Sequence, residues 1–197
     1  MPRTRAFDLG EVTARAMNAF WRCGYEATSI EDLVAATGLS RSSIYQAFGS
    51  KRGLFDAALN RYLDGIESKL EPLQSSGGGL DGIIQFFESW EPIAAAGAGS
   101  SMGCLVVNSV AELANTQPWM RDYGDAYQTR LRQAFIRALA VAADRREIRP
   151  ESIERRAQLL TLVTLGLFVA ARGQAPEVVA LRASDAVAEI SSWRSSA

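Results

Sequence analysis

Apolar residues recur along this chain at intervals of three and four, and nowhere in the strict alternation of a strand, so the pattern predicts an all-α fold. Val12, Ala16, Ala19 and Phe20 make one stripe of a first helix over about Asp8 to Arg22. Ile30, Leu33 and Val34 mark a short second helix. In a third, Ile44, Ala47 and Phe48 are expected to point inward. A fourth helix begins at Ser50 and carries Leu54, Phe55, Ala58, Leu59, Tyr62, Leu63 and Ile66 before Pro72 and an SSGGG run. Beyond it the spacing predicts helices over about 80–96, 102–115, 118–143, 152–171 and 177–194, for about nine in all. The breaks fall at AGAGSSMG, at NTQP, at Arg149-Pro150 and at Gly173 to Pro176, each a known stop or start signal.

The short helices carry their own punctuation. Ser29 has Asp32 three residues on, the spacing at which a hydroxyl and a returning carboxylate satisfy free amides at a helix start. Gly38 supplies the positive φ that ends the second helix, and Leu39 packs the turn. Ser40 caps the third helix, leaving Arg41, Ser42, Ser43, Tyr45 and Gln46 largely outward. Two helices around a short glycine turn form a helix-turn-helix, whose second helix lies in the DNA major groove with its N-terminal residues at base edges. Lys51 follows at the start of the fourth helix, where positive charge and free amides together favour a phosphate.

The run GYEATSIEDLVAATGLSRSSIYQAFGSKRGLF, residues 24 to 55, resembles the N-terminal domain of TetR-family transcriptional regulators almost position for position. The likeness is tight over about residues 7 to 59 and is carried further only by the helix layout. It implies phosphate contacts from the Thr28 and Ser29 region, from Tyr45 and from Lys51, and base contacts from Arg41, Ser42 and sometimes Gln46. A glutamine there pairs with adenine or touches a phosphate, and both roles stay open. The family layout also implies a helix-turn-helix DNA-binding domain at 1–55 and a helical effector-binding and dimerisation domain at 56–197.

Composition then narrows the partners. In the 197-residue chain, residues 1 to 55 hold seven Lys or Arg against five acids, a net of +2, while the whole chain is −1. Dimerisation would double that basic surface on one face, so a near-neutral total does not exclude DNA. Arg3 and Arg5 precede the first helix, either as a minor-groove arm or as a solvated terminus. The first residues lack the apolar core of a signal peptide, no long apolar run offers a membrane span, and two cysteines make no disulfide framework; a cytoplasmic address is expected. The absence of histidine removes Ser-His and Cys-His nucleophilic pairs and the commonest metal ligand. GGGLDG lacks the lysine and preceding strand of a phosphate loop. Neither an enzyme nor a metal or cofactor site is expected.

The second half offers an interface and an input. Val179, Ala183, Ala186, Ile190 and Trp193 space as a helix-packing seam, and LLTLVTLGLFVAARG before them is apolar nearly all round. These two helices are the expected dimer interface, as the last two are in TetR-like proteins. A two-fold dimer would present its reading helices about one DNA turn, roughly 34 Å, apart to a near-palindromic operator. A small-molecule pocket is expected among Phe86, Phe87, Trp90, Met102, Leu105, Val106, Trp119, Met120, Tyr123 and Tyr127, though such residues also make plain core. Glu88, Glu91 and Glu112 would favour a cationic ligand there. Cys104, with Asn108 one turn on, is either an electrophile or oxidant sensor at a helix start or a small buried hydrophobe. The expected function is a homodimeric repressor of double-stranded DNA released by an effector. The alternative, a ligand-binding helical protein without DNA binding, would need a damaged reading helix, whereas Arg41, Tyr45 and Lys51 are all present.

Overall fold

The computed structural model describes residues 8–74, 78–90 and 102–194. Among these are nine α-helices and no strand: α1 Leu9–Cys23, α2 Ile30–Thr37, α3 Arg41–Phe48, α4 Lys51–Gln74, α5 Gly79–Glu88, α6 Leu105–Leu113, α7 Trp119–Asp144, α8 Ile153–Gly173 and α9 Pro176–Ser192. One 3₁₀ turn, Pro150–Ser152, leads into α8. The chain divides into two compact units, Met1–Gly65 and Ile66–Ala197, and the division falls inside α4. No helix among the described residues is long and apolar enough to cross a membrane.

In the first unit Val12, Ala16 and Phe20 of α1 are buried together with Leu33, Leu39, Ile44, Leu54 and Phe55. Phe20 meets Phe55 edge-on at 4.9 Å, and Tyr25 packs against both, 4.8 Å from Phe55 and 6.0 Å from Phe20. Such pairs add about 0.5–1.5 kcal/mol each beyond the area they bury. The caps hold as the residue types dictate. Asp8 accepts from Gly10 N–H at 2.8 Å, and Ser40 accepts from Ser43 N–H at 3.1 Å. Gly38 sits at φ +73°, a left-handed conformation that a side chain would strain, and its N–H reaches the Val34 carbonyl at 2.9 Å.

The turn from α3 to α4 is tighter still. Gly49 takes φ +76°, and Ser50 Oγ accepts from Gly53 N–H at 3.0 Å. A methyl group on Gly53 would stand 2.0 Å from the Phe48 carbonyl oxygen. Only a residue without Cβ fits. At its far end α4 runs on through Pro72 to Gln74, beyond the stop that the proline suggested. One amide is missing there, and burial of Leu70 and Leu73 on either side keeps the last turn helical.

In the second unit α7 packs against α5, α6 and α8, while α9 packs against α5 and α8. Phe135 of α7 lies edge-on to Phe86 at 5.5 Å and stacked on Phe87 at 6.2 Å. α5 starts at Gly79, where Leu80 N–H donates to Glu147 Oε2 at 3.0 Å, a cap supplied from far along the chain. It ends at Glu88, and the rest of the helix expected to 96 runs into residues 91–101, outside the described ones. Gly103 takes φ +67° and Cys104 is extended at φ −101°, so α6 starts at Leu105 and not at 102.

One expectation about the last helices needs correction. Val179, Ala183, Ile190 and Trp193 of the α9 seam are buried, with Ala186 half-buried, so this seam serves the chain's own core rather than a face toward a second subunit. Periodicity sets which residues are covered but cannot say which neighbour covers them. Within the single chain α8 buries part of its apolar circumference and leaves Leu159 at 47%, Leu162 at 55% and Val169 at 61% exposure. From α9, Val178 and Leu181 are exposed at 37% and 63%.

Replacing Gly53 by alanine is expected to cost about 2 kcal/mol in urea unfolding, the usual penalty of forced overpacking. An unchanged transition midpoint would mean that the α3–α4 junction has room to give.

Candidate nucleic-acid interface and core cavity

The outward face of α3 starts from its cap. Ser40 Oγ lies 2.9 Å from Ser42 Oγ and 2.8 Å from Ser43 Oγ, so three hydroxyls cluster at the helix start. Ser40 and Ser42 are exposed and Ser43 is half-buried. Arg41 reaches Glu31 of α2 with Nη1 to Oε1 at 3.2 Å, and its guanidinium stands 5.9 Å from the Tyr45 ring centre. Both members of that ion pair are well exposed, at 64% and 73%, so it holds Arg41 by no more than about 1 kcal/mol. Tyr45 is itself 40% exposed, and Gln46 is exposed beside it. Ala47 was expected inward but is exposed, because in so short a helix only Ile44 is fully buried and Ala47 lies at the edge of that stripe.

Lys51 opens α4 next to this face. Its Nζ donates to the Glu26 carbonyl at 3.4 Å and stands 4.5 Å over the Tyr25 ring. Burial first, then Glu26 and Asp56, push the Tyr25 hydroxyl above its ordinary pKa against the pull of Arg52, so the ring stays neutral under the ammonium. At the start of α2, Ser29 Oγ accepts from Asp32 N–H at 3.0 Å and donates to Asp32 Oδ2 at 2.6 Å, while Ser29 N–H donates to the same oxygen at 2.8 Å. Ser29 is exposed. Thr28 is not: at 1% exposure its hydroxyl donates to the Gly24 carbonyl at 2.5 Å, so of the Thr28 and Ser29 region the exposed hydroxyl is that of Ser29. A threonine beside an exposed serine looks equivalent in sequence, and only the turn of the backbone after Gly24 separates them.

The second unit contains a cavity of about 50 Å³ lined by Ile66, Lys69, Leu70, Phe86, Ser89, Trp90, Tyr127, Leu131 and Phe168. Trp90 and Phe168 face each other at 4.8 Å, and Tyr127 lies 6.3 Å from Phe168. Phe86, Trp90 and Tyr127 were expected on this wall. The other pocket candidates are elsewhere. Phe87, Leu105, Val106 and Met120 are buried core. Asn108 Nδ2 donates to the Met102 carbonyl at 2.7 Å and so ties down the segment before α6, and Trp119 Nε1 donates to Gln117 with Tyr123 edge-on to its ring. Cys104 is fully buried as the N-cap residue of α6 and is not among the cavity residues, which favours the small-hydrophobe reading. Glu88 and Glu112 are exposed and are not among the cavity residues, and Glu91, like Arg3 and Arg5, lies outside the described residues.

Residues 12–58 match the family described as bacterial regulatory proteins, tetR family. Over 155 residues the chain is 31% identical to the uncharacterized HTH-type transcriptional regulator YezE of Bacillus subtilis (strain 168), which covers 78% of this chain and 79% of YezE. The chain belongs to the TetR family. It is a helix-turn-helix transcriptional regulator, not an enzyme. This TetR-family chain is also 46% identical to the HTH-type transcriptional repressor ComR of Escherichia coli (strain K12) over 69 residues, 35% of this chain and 33% of ComR. In three dimensions it is similar to a cysteine-substituted TetR-family regulator CifR solved with 26-bp double-strand operator DNA, at TM-score 0.81 and 26% identity over 95% of this chain and 98% of that one. The reduced form of NemR from E. coli shares the fold, at TM-score 0.77 and 22% identity over 92% and 94% of the two chains.

Several residues that shape the TetR-family face were not singled out from the sequence. Glu31 holds Arg41, and Tyr25 and Glu26 hold Lys51. Glu26 and Lys51 are 25 positions apart, a pairing that no local spacing announces. Likewise Ile66, Lys69, Leu70, Ser89, Leu131 and Phe168 complete the cavity from three helices and the turn after α5.

The capping box gives a pH dependence. Hydrogen bonds from the Ser29 hydroxyl, then from its backbone, hold the Asp32 carboxyl below its ordinary pKa. Because the folded value is the lower one, this stabilisation is complete above the unfolded aspartate value of about 3.9 and is lost as pH falls through the folded value. The stability gap between the natural chain and Asp32→Ala is therefore expected to shrink as pH drops below about 4. A gap that stays constant down to acid unfolding would count against the box.

Proposed function

We propose that this regulator binds double-stranded DNA as a homodimer, most simply as a repressor, and leaves its operator when a small molecule enters the core cavity. The observation that carries the reading is the outward face of α3: clustered hydroxyls, an arginine on a breakable ion pair and an exposed tyrosine, with the Lys51 ammonium beside them. Arg41 and Ser42 occupy the first turn of the helix and read base edges. Ser29, Tyr45 and Lys51 grip phosphates and set the register, while Gln46 pairs with adenine or adds a further phosphate contact.

Dimerisation supplies the second half-site. Leu159, Leu162 and Val169 with Val178 and Leu181 offer apolar surface on the last two helices, the kind of patch that marks an interaction surface. Matched across a two-fold axis, the α8 and α9 pairs of two subunits would form a four-helix bundle. Release follows from differential binding. A 50 Å³ cavity is small for a drug-like molecule, so an effector favours a state in which the wall has moved. Ile66, Lys69 and Leu70 of that wall belong to the same continuous helix that begins at Lys51. By linkage, an effector that weakens operator binding is itself bound more weakly by the DNA complex, and by the same factor.

Selection of duplexes from a random pool should enrich a near-palindromic site; a pool that yields no preferred sequence would overturn the reading. On the selected site Arg41→Ala is expected to cost about 1–3 kcal/mol and relax the preference at one base position, whereas Lys51→Ala weakens all sequences alike and lowers the salt slope by about one. Equal losses on selected and random DNA for Arg41→Ala would make it a phosphate contact. The double substitution Leu162→Glu with Leu181→Glu is expected to yield monomers in sedimentation with unchanged helical circular dichroism, and persistence of the dimer would place the interface on another surface.

A further inference from the structure

The cavity's charge opposes what the nearby glutamates suggested. No carboxylate is among its described lining residues, and the one full charge there is Lys69, an exposed lysine of α4. Leu70 is shared between this cavity and a neighbouring open groove of about 240 Å³, where Gln74, Arg130, Gln133 and Arg137 contribute donors and again no carboxylate appears. Three cations and no carboxylate are therefore among the described residues that line the two concavities sharing Leu70. A concave surface of one sign with apolar walls concentrates ligands of the opposite charge.

The remainder of the cavity is aromatic. Trp90 and Phe168 are tilted 56° to one another, and Tyr127 and Phe168 are tilted 52°, so faces and edges are both presented to an entering ring. An engineered apolar cavity of about 150 Å³ takes a benzene. This one, at 50 Å³, admits a ring only as its walls part.

We propose that the effector is an aromatic anion whose ring lies among Phe86, Trp90, Tyr127 and Phe168 and whose single negative group meets Lys69 at the mouth. The proposal rests on the cavity being the effector site. The ring supplies the binding that widens the wall, and the charge selects among rings that fit. Ser89 Oγ, which already donates to the Phe86 carbonyl at 2.6 Å, has its lone pairs left for a donor and none of the positive charge that an anion seeks, so Lys69 sets the selectivity.

The test uses three matched probes on the full chain: phenylacetate, neutral 2-phenylethanol and cationic 2-phenylethylammonium, titrated by ligand-observed NMR. Phenylacetate is expected to bind about ten-fold more tightly than the alcohol, and the ammonium most weakly, in line with a charge-assisted contact. Lys69→Gln should bring phenylacetate to the level of the alcohol and leave the alcohol within about two-fold, and Lys69→Glu should turn the preference toward the ammonium. Equal binding of anion and alcohol by the natural chain, a preference for the ammonium, or indifference of phenylacetate to Lys69→Gln would overturn the anion assignment and leave the cavity standing as an effector site. Failure of all three probes to bind at millimolar concentration would overturn the cavity reading itself.

Discussion

The close approach of Gly53 to the Phe48 carbonyl governs the geometry of the reading face. With the Cβ position only 2.0 Å from that oxygen, α4 begins directly against the end of α3, and only Gly49 and Ser50 join the two. Lys51 is thereby held near the α1–α2 loop, on the Glu26 carbonyl and the Tyr25 ring, instead of ranging through solvent. A long flexible side chain loses roughly 1.5–2 kcal/mol of rotamer freedom when it is fixed. Part of that cost is met in the free protein, where the ring and the carbonyl already hold the ammonium.

Arg41 is held by a different device. Its contact with Glu31 is exposed on both sides, and a pair of that kind is worth too little to compete with a guanine or a phosphate. It orients the side chain without committing it. The contrast fits the roles proposed for the two residues: a backbone anchor gains from being fixed, while a reader must move from an intramolecular partner to a base edge. The small overall charge of −1 is compatible with this, since local placement of a few cations on one face decides where a polyanion can settle.

Much of the fold was readable from residue types. Ser29 with Asp32, Gly38, Ser40 and Gly49 mark helix ends by mechanisms that operate within four residues, and each appears in the structure as the chemistry demands. The face of α3 followed from the same local logic except at its margins, where Ala47 turned outward and the neighbouring Thr28 turned inward. Helix periodicity was equally dependable about which residues of α9 would be covered, and silent about the covering partner. Val179, Ala183, Ile190 and Trp193 pack within the chain, leaving other residues of α8 and α9 as the exposed apolar surface.

The cavity shows where such reading stops. Phe86, Trp90 and Tyr127 were recognisable as large aromatics on amphipathic helices, but so were Phe87, which ended in the core, and Trp119, which opens α7 with its ring nitrogen on Gln117. A cavity is what remains when several helices fail to fill a space, and its lining comes from α4, α5, α7 and α8 together with Ser89 and Trp90 after α5. Lys69 and Phe168 are 99 positions apart, and nothing local links them. The sequence by itself determined the all-α class, the capped helix-turn-helix and the residues of its outer face, because caps, turns and amphipathic stripes depend on near neighbours. Only the tertiary structure decided the sign of the cavity, the side of α9 that is covered and the parking places of Arg41 and Lys51, because these depend on groups that meet only after distant helices have packed.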